Sequence, residues 1–231
     1  MNESKRSNGL VAAVVVLVLL LGISLVALLL NRGGGGQAVP ALTPAASQPA
    51  VSSSRPSPAF PPLTAAPSGV TWELFQGVAL PTSRVDGPSR LDGAVHAGFS
   101  RTPVGALLAA AQIAARSIVD PSLPGLREIG HRQLVAGPGQ AAYLNLVSSF
   151  TDNNAPTAGY AQYVGFRFIT VSSDVAVVSV ATRGKTGRLQ VGTDTVRWVD
   201  GDWKLELSAS GLQQPQVVQN VAGYVPWAGV S

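Results

Sequence analysis

The pattern of hydrophobic and polar positions divides the chain into four segments of different character. A polar tail, residues 1–9, precedes an uncharged apolar stretch from Leu10 to Leu30. Residues 31–69 are rich in Gly, Pro, Ala and Ser, whereas residues 70–231 contain amphipathic stretches separated by turn-forming residues. The pattern predicts a cytoplasmic tail, a transmembrane helix, a disordered linker and one folded domain.

The apolar stretch has the length of a membrane span. Its 21 residues would form a helix of roughly 30 Å, the thickness of a hydrocarbon core. Lys5 and Arg6 precede it, so the positive-inside rule places the N-terminus in the cytoplasm and the domain outside the cell membrane. A cleaved signal peptide is the alternative, although its apolar core would be only about 7–15 residues long.

The linker is predicted to be an extended spacer. It contains the run Gly33–Gly36 and eight of the chain's 17 prolines. Such a composition buries too little apolar surface to offset its chain entropy. The glycine run lacks the Lys and Ser or Thr that follow a phosphate-binding loop.

The first half of the domain predicts helices. Thr71–Leu80 is expected to be a strand or extended segment ended by Pro81, and residues 84–93 are rich in turn formers. A helix follows, with Ser100 or Thr102 as its cap and Pro103 at its first position. Its apolar stripe is formed by Val104, Leu107, Leu108, Ala111, Ala115 and Ile118, while Gln112, Arg116 and Ser117 lie away from it.

Two further helices are expected after this one. The segment Leu123–Ala136 predicts a short helix, with Leu126, Ile129 and Leu134 facing inward. Gly137-Pro138-Gly139 breaks the chain, Gln140–Phe150 resumes as a helix, and a loop follows from Asp152 to Gly159.

The second half of the domain changes to the alternation of strands. Four antiparallel strands are expected, the last after a tight turn at Asp200-Gly201: Tyr160–Val171, Val175–Arg183, Arg188–Val199 and the segment with Trp203, Leu205 and Leu207. The sequence therefore predicts an α+β domain of about three helices on a curled four-stranded sheet. Trp198 and Trp203 are expected to pack together, and Tyr224 and Trp227 either pin the tail to the domain or dock a partner.

Charge and composition argue against several functions. From Val70 onward the chain has 12 basic and 11 acidic residues, so direct nucleic-acid binding is not expected. The cluster Arg183, Lys185 and Arg188 is interpreted as a solvated hairpin end. The chain has no cysteine, which excludes thiol nucleophiles and thiolate metal sites.

The candidate chemical groups all have simpler structural interpretations. His96 and His131 are too few for a metal site, and Ser100 fits a helix cap better than a nucleophile. Gly137–Ala142 fits the spacing of a dinucleotide-binding loop, but Asp152 comes too early to be its acidic partner. Turn chemistry explains Asp200 and Asp202. No catalytic, cofactor or metal residue is therefore predicted.

Two resemblances add an expectation of function. The helices followed by a sheet ending in Val196–Leu207 resemble the nuclear transport factor 2-like, or SnoaL-like, cone. Trp72-Glu73, Leu80-Pro81, Gly87-Pro88 and above all His96–Ala110 resemble single-pass membrane proteins of actinobacterial integrative and conjugative elements.

By analogy these proteins resemble the bitopic assembly-factor subunit of type IV secretion systems, which is a scaffold without catalytic residues. The resemblance implies a structural subunit whose partners are the lipid bilayer and either other transfer-apparatus membrane proteins or further copies of itself in a homo-oligomer. One alternative is a tethered small-molecule or lipid binder that uses the cone cavity. Another is a SnoaL-like enzyme, for which His131 and Asp174 are the only candidate acid–base groups.

Overall fold

A computed structural model describes residues 60–151 and 161–229 of the chain. These residues form two β-hairpins, then three helices, then a mainly antiparallel sheet, which confirms the α+β class. The predicted tail, the membrane helix Leu10–Leu30 and the loop from Asp152 to Gly159 lie outside the described residues. Within the two described ranges, no helix is both long and apolar enough to cross a membrane.

The described part begins with a coil and a hairpin. Residues 60–69 contain no helix or strand, although Phe60 and Leu63 pack against the core. Strands β1 (Val70–Phe75) and β2 (Val78–Ser83) then pair antiparallel.

The prediction of one extended segment from Thr71 to Leu80 is wrong, because the chain reverses within it. Gln76 and Gly77 both have positive φ, at 50° and 80°, and two such residues form the tight turn that suits twisted strands. Pro81 does not end the strand but lies within β2, opposite Trp72.

A second, smaller hairpin begins inside the predicted turn region, residues 84–93, whose last part forms a strand. It consists of β3 (Arg90–Asp92) and β4 (Val95–Ala97). It leads into helix α1 (Pro103–Val119), which is capped by Thr102, whose hydroxyl accepts a hydrogen bond from Gly105 N at 3.0 Å. Helices α2 (Leu123–Gln133) and α3 (Pro138–Ser148) follow.

Helix α1 is buried on more sides than its sequence predicts. Gln112, Arg116 and Ser117 were expected away from the apolar stripe, yet they are 0%, 4% and 3% exposed, whereas Ile118 on the stripe is 43% exposed. The reason is that α1 packs against both the sheet and the β1–β2 hairpin. Helical periodicity cannot show that a second layer covers the opposite face.

The polar residues on this face of α1 are satisfied internally. Gln112 Nε2 donates to Pro81 O at 2.9 Å, and Arg116 Nε donates to Gln112 Oε1 at 2.9 Å. The Arg116 guanidinium lies 4.1 Å from the centre of the Phe75 ring. These contacts compensate for the removal of two polar side chains from water.

The main sheet has six strands among the described residues, so the predicted number of four is wrong. Its order is β10-β5-β6-β7-β8, and β9 also pairs with β7. The tail supplies the two strands that periodicity missed. The strand bounds are β5 Ala161–Val171, β6 Val175–Gly184, β7 Leu189–Val199, β8 Asp202–Glu206, β9 Gln216–Val218 and β10 Val225–Pro226.

The C-terminal tail packs against the domain, which is the first of the two alternatives predicted for Tyr224 and Trp227. Trp227 is 5% exposed, and its ring centre lies 4.9 Å from that of Trp72 and 5.5 Å from that of Phe166. Tyr224 forms a hydrogen bond of 2.7 Å with the Ser179 hydroxyl. The expected Trp198–Trp203 pair is also confirmed, with ring centres 5.5 Å apart.

Candidate functional site

One edge of β7 is shared by two strands that do not meet. β8 pairs with β7 from Thr195 to Val199, and β9 pairs with it from Leu189 to Val191. Between them, Gly192, Thr193 and Asp194 have no strand partner on this edge within the described ranges. The chain leaves the sheet after β8 and returns at β9, and this interruption opens a cleft.

The cleft has the size of a ligand site. Its volume is about 560 Å³, within the range of about 300–1,000 Å³ that is usual for small-molecule pockets. Gly192–Asp194 form its floor, and Ala114 and Ile118 near the end of α1 form one wall. The other wall comes from residues 205–208 and the loop of residues 211–216.

Asp194 is the one carboxylate of the cleft whose charge is not compensated by the described residues. It lies opposite Val178 of β6 and has the strand parity of Val196, and both of these valines are 0% exposed. No hydrogen bond or ion pair from the described residues reaches its side chain. Burial raises the pKa of Asp194 to about 7, because water no longer stabilises the charged form.

The ionisable side chains that line the cleft are all acidic. Its two ionisable side chains are Asp194 and Glu206, and among the described residues it contains no Lys, Arg or His. Glu206 is paired with Arg197 at 2.7 Å. The remainder combines aliphatic side chains, amides and hydroxyls, chiefly Ile118, Val191, Leu205, Leu207, Leu212, Gln213, Gln214, Gln216, Thr193, Thr195 and Ser208. Such a site can hold an apolar body and accept a proton or a hydrogen bond at one point.

Gly192 keeps the floor of the cleft open. It shares the strand parity of Asp194, so both residues face the same side of the sheet. A Cβ placed on Gly192 would meet no atom within 4 Å. Space therefore continues above the strand at this position, next to the carboxylate.

Asp202 is more than the turn residue that the sequence predicted. It is 7% exposed, and its carboxylate accepts hydrogen bonds from Gly98 N at 2.5 Å and Phe99 N at 3.0 Å. It also accepts from its neighbour Trp203 N at 2.9 Å and from the Arg90 guanidinium at 3.0 Å. Asp202 thus fastens the segment before α1 to β8, while Asp200 is an exposed turn residue with φ of 55°.

The other motif residues have structural roles. Ser100 donates to Asp86 at 2.5 Å, and Thr102 is the N-cap of α1, as the second alternative required. The helix break is confirmed, because α2 ends at Gln133 and α3 begins at Pro138. Only Gly137 of the three residues lies in the break, and α3 starts two residues before the expected Gln140. A Cβ on Gly139 would collide with the Leu207 carbonyl, so this glycine is needed for close packing rather than for a nucleotide.

The two histidines do not assemble a site. No group of potential metal ligands occurs in the part of the chain that the structure describes. Burial, and next the charge of Arg116, lower the pKa of His96 to about 4, and its Nδ1 is buried without a partner there. His131 is exposed on α2, and Asp174 is exposed and paired with Arg101. Neither lines the cleft, so they do not form the acid–base pair considered for an enzyme.

Sequence reasoning missed Asp194 because no motif marks it. The segment Thr193-Asp194-Thr195 is polar and suggests a solvated part of a strand. The available signal was alternation, since Asp194 has the parity of the apolar residues Val196 and Trp198.

Comparison with known proteins identifies a family. The family described as Domain of unknown function (DUF8175) matches residues 35–226, and the chain belongs to it. No curated protein and no solved structure shows a significant match. The matched range starts inside the predicted linker and includes the domain as far as β10.

Proposed function

We propose that this member of the DUF8175 family is a membrane-anchored structural subunit of a conjugative DNA-transfer apparatus similar to type IV secretion systems. The predicted helix Leu10–Leu30 would hold it in the cell membrane, with residues 70–231 outside. The order of helices and antiparallel sheet supports the cone-like architecture that the resemblance implies. No catalytic residue is assigned in this proposal.

The observation that carries this proposal is the structural use of the segment His96–Ala110. Asp202 binds the backbone of Gly98 and Phe99, and Trp203 Nε1 donates to Ser100 O at 2.9 Å. The segment from Gly105 to Ala110 is buried in α1. The residues that carry the resemblance thus stabilise the fold of the domain. This is expected in a scaffold, whose partner contacts are made by other residues on its surface.

Exposed apolar side chains on the N-terminal hairpins are the candidate partner contacts. Leu74 on β1 is 75% exposed, Leu91 on β3 is 66% exposed, and Val85 between the hairpins is 85% exposed. Single exposed apolar residues are common, so their role is tested by substitution. Other transfer-apparatus membrane proteins, or a second copy of the chain, would cover them.

The experiment compares conjugation in a deletion strain complemented with different forms of the gene. Deletion is expected to abolish transfer, and the intact gene to restore it. A Leu74→Glu/Leu91→Glu variant should restore it poorly while reaching the membrane at the normal level. Ile169→Glu is the matched control, because Ile169 is 58% exposed on β5. An unchanged transfer frequency after deletion would contradict the proposal.

The second candidate function is a membrane-tethered binder of a small molecule. It is favoured by one observation, the open cleft with an uncompensated carboxylate on its floor. It predicts that occupancy of the cleft protects the domain against unfolding, which can be measured as a ligand-dependent rise of the midpoint of denaturation.

A further inference from the structure

We propose that the cleft beside β7 binds a small aliphatic amine, with Asp194 as the counter-ion of its ammonium group. The inference rests on the second candidate function, which it deepens by naming the class of ligand. It is independent of the proposed role in DNA transfer.

The charge pattern selects a cation. An ionised carboxylate that is removed from water without a partner is costly, and a cation placed against it removes most of that cost. The described residues leave Asp194 without such a partner, and the lining supplies a second acid, Glu206, rather than a base. An anionic ligand would meet the uncompensated charge of Asp194 and no cationic side chain in the lining.

The shape and remaining chemistry select an aliphatic body. Leu205, Leu207 and Leu212 contribute apolar surface to the walls, and Ile118, 43% exposed, stands at the same cleft. The open space above Gly192 lies on the same side of the strand as Asp194. A hydrocarbon group could occupy this space while its amine reaches the carboxylate.

Few other ionisable groups face Asp194. Glu206 of β8 is held by Arg197, and Tyr163 of β5 donates to Ala111 O at 2.8 Å, with its pKa raised by burial and next by Asp194. Helix α1 and the loop of residues 211–216 contribute no charged side chain to the cleft. An ammonium ion would therefore act mainly on Asp194, favouring its charged form and releasing a proton near neutral pH.

The test uses the full chain in detergent micelles and three probes that share one cyclohexyl ring. Cyclohexylamine, cyclohexanol and cyclohexanecarboxylate are titrated by saturation-transfer NMR at pH 5.5 and pH 8. The amine should bind about tenfold more tightly than the alcohol at pH 8, and about tenfold more weakly at pH 5.5 than at pH 8. The carboxylate should bind least.

Two variants, each with a control, assign the binding to the cleft. Asp194→Asn should abolish the preference for the amine and its pH dependence while leaving the alcohol unaffected, whereas Asp200→Asn should change nothing. Gly192→Leu should fill the cleft and weaken all binding. Gly184→Leu is its control, because Gly184 also lies on a strand of this sheet without positive φ.

The outcomes separate the two levels of the proposal. Equal binding of amine and alcohol, both lost in Gly192→Leu, would overturn the amine assignment and leave a ligand-binding cleft. Binding that is absent, or unaffected by Gly192→Leu, would overturn the amine assignment and the second candidate function together. If the preference for the amine is lost in Asp194→Asn but kept in Asp200→Asn, the result supports the assignment.

Discussion

Asp202 and Asp194 are two aspartates on neighbouring strands of one sheet, and their surroundings are opposite. Asp202 at the start of β8 accepts four hydrogen bonds, three of them from backbone N–H groups. Asp194 in β7 receives none from the described residues and has its pKa raised to about 7 by burial. The first carboxylate fastens two parts of the chain, whereas the second leaves its bonding capacity unused.

The difference indicates which acid has a role beyond the fold. A buried acid with all its partners can be explained by stability alone. A partly buried acid without partners among the described residues reduces stability when it is charged, so it is the better candidate for contact with a ligand. The following experiments test this contrast, in order of expected effect, by urea unfolding of the full chain followed through its four tryptophans, all of which lie in the domain.

The largest effect is expected from Asp202→Asn. The amide NH₂ would face the backbone donors of Gly98 and Phe99, so at least one buried hydrogen bond would be lost. The free energy of unfolding should fall by about 3 kcal/mol. Asp200→Asn, at an exposed position paired with Lys204, should change it by less than about 0.5 kcal/mol. Equal losses at the two positions would show that the hydrogen bonds of Asp202 do not stabilise the fold.

The second largest effect is expected from Asp194→Asn, which should raise the free energy of unfolding instead of lowering it. The folded-state pKa of Asp194, about 7, lies above its unfolded value of 3.8. The folded state therefore binds more protons between these values, and stability falls as pH rises through this window. Asp194→Asn should stabilise the protein by about 1–2 kcal/mol at pH 8, less than the full shift implies because the side chain is only partly buried. The gain should vanish below about pH 4. A loss of stability at pH 8 would show that the carboxylate has a partner after all.

The third experiment uses the slope of stability against pH. His96 has a folded-state pKa of about 4 and an unfolded value of 6.5, so the unfolded state binds more protons between them. The contribution of His96 to the free energy of unfolding should therefore rise by about 1 kcal/mol as pH rises through this window. The contribution of Asp194 changes in the opposite direction. His96→Gln should remove the rise of stability with pH, so that only the fall due to Asp194 remains. Asp194→Asn should remove the fall, so that only the rise due to His96 remains. Slopes that both variants leave unchanged would contradict the assignment to these groups.

The smallest effect is expected from Arg90→Met. The Arg90 side chain is 67% exposed, although it is paired with Asp202. Exposed ion pairs contribute about 0–1 kcal/mol, so the loss should be well below that of Asp202→Asn. A loss as large as that of Asp202→Asn would mean that the ion pair, rather than the backbone bonds, holds Asp202.

Much of the fold could be predicted because it depends on local pattern. Pro103 and the apolar period located α1, and Asp200-Gly201 with its flanking tryptophans located the turn between β7 and β8. The first hairpin was missed because its turn uses Gln76, a residue that rarely adopts positive φ. β9 and β10 have only three and two residues, too few to show a period, and they form because β7 and β5 offer them an edge.

The candidate site could not be predicted because it depends on an interruption in strand pairing. The positions where β8 ends and β9 begins against β7 are set by long-range register, which no short segment encodes. The burial of Gln112 and Arg116 was missed for a related reason, since it requires the β1–β2 hairpin to lie over α1. The proposed role in DNA transfer and the membrane helix Leu10–Leu30 remain predictions.

The contact between Trp72 and Trp227 brings the beginning and the end of the described domain together. Gly229 also lies against the Trp72 ring, where a Cβ would collide with it. A fusion partner placed directly after Gly229 would therefore emerge close to β1. The same proximity makes the domain suitable for circular permutation, because a short connection could join its two ends at small entropic cost.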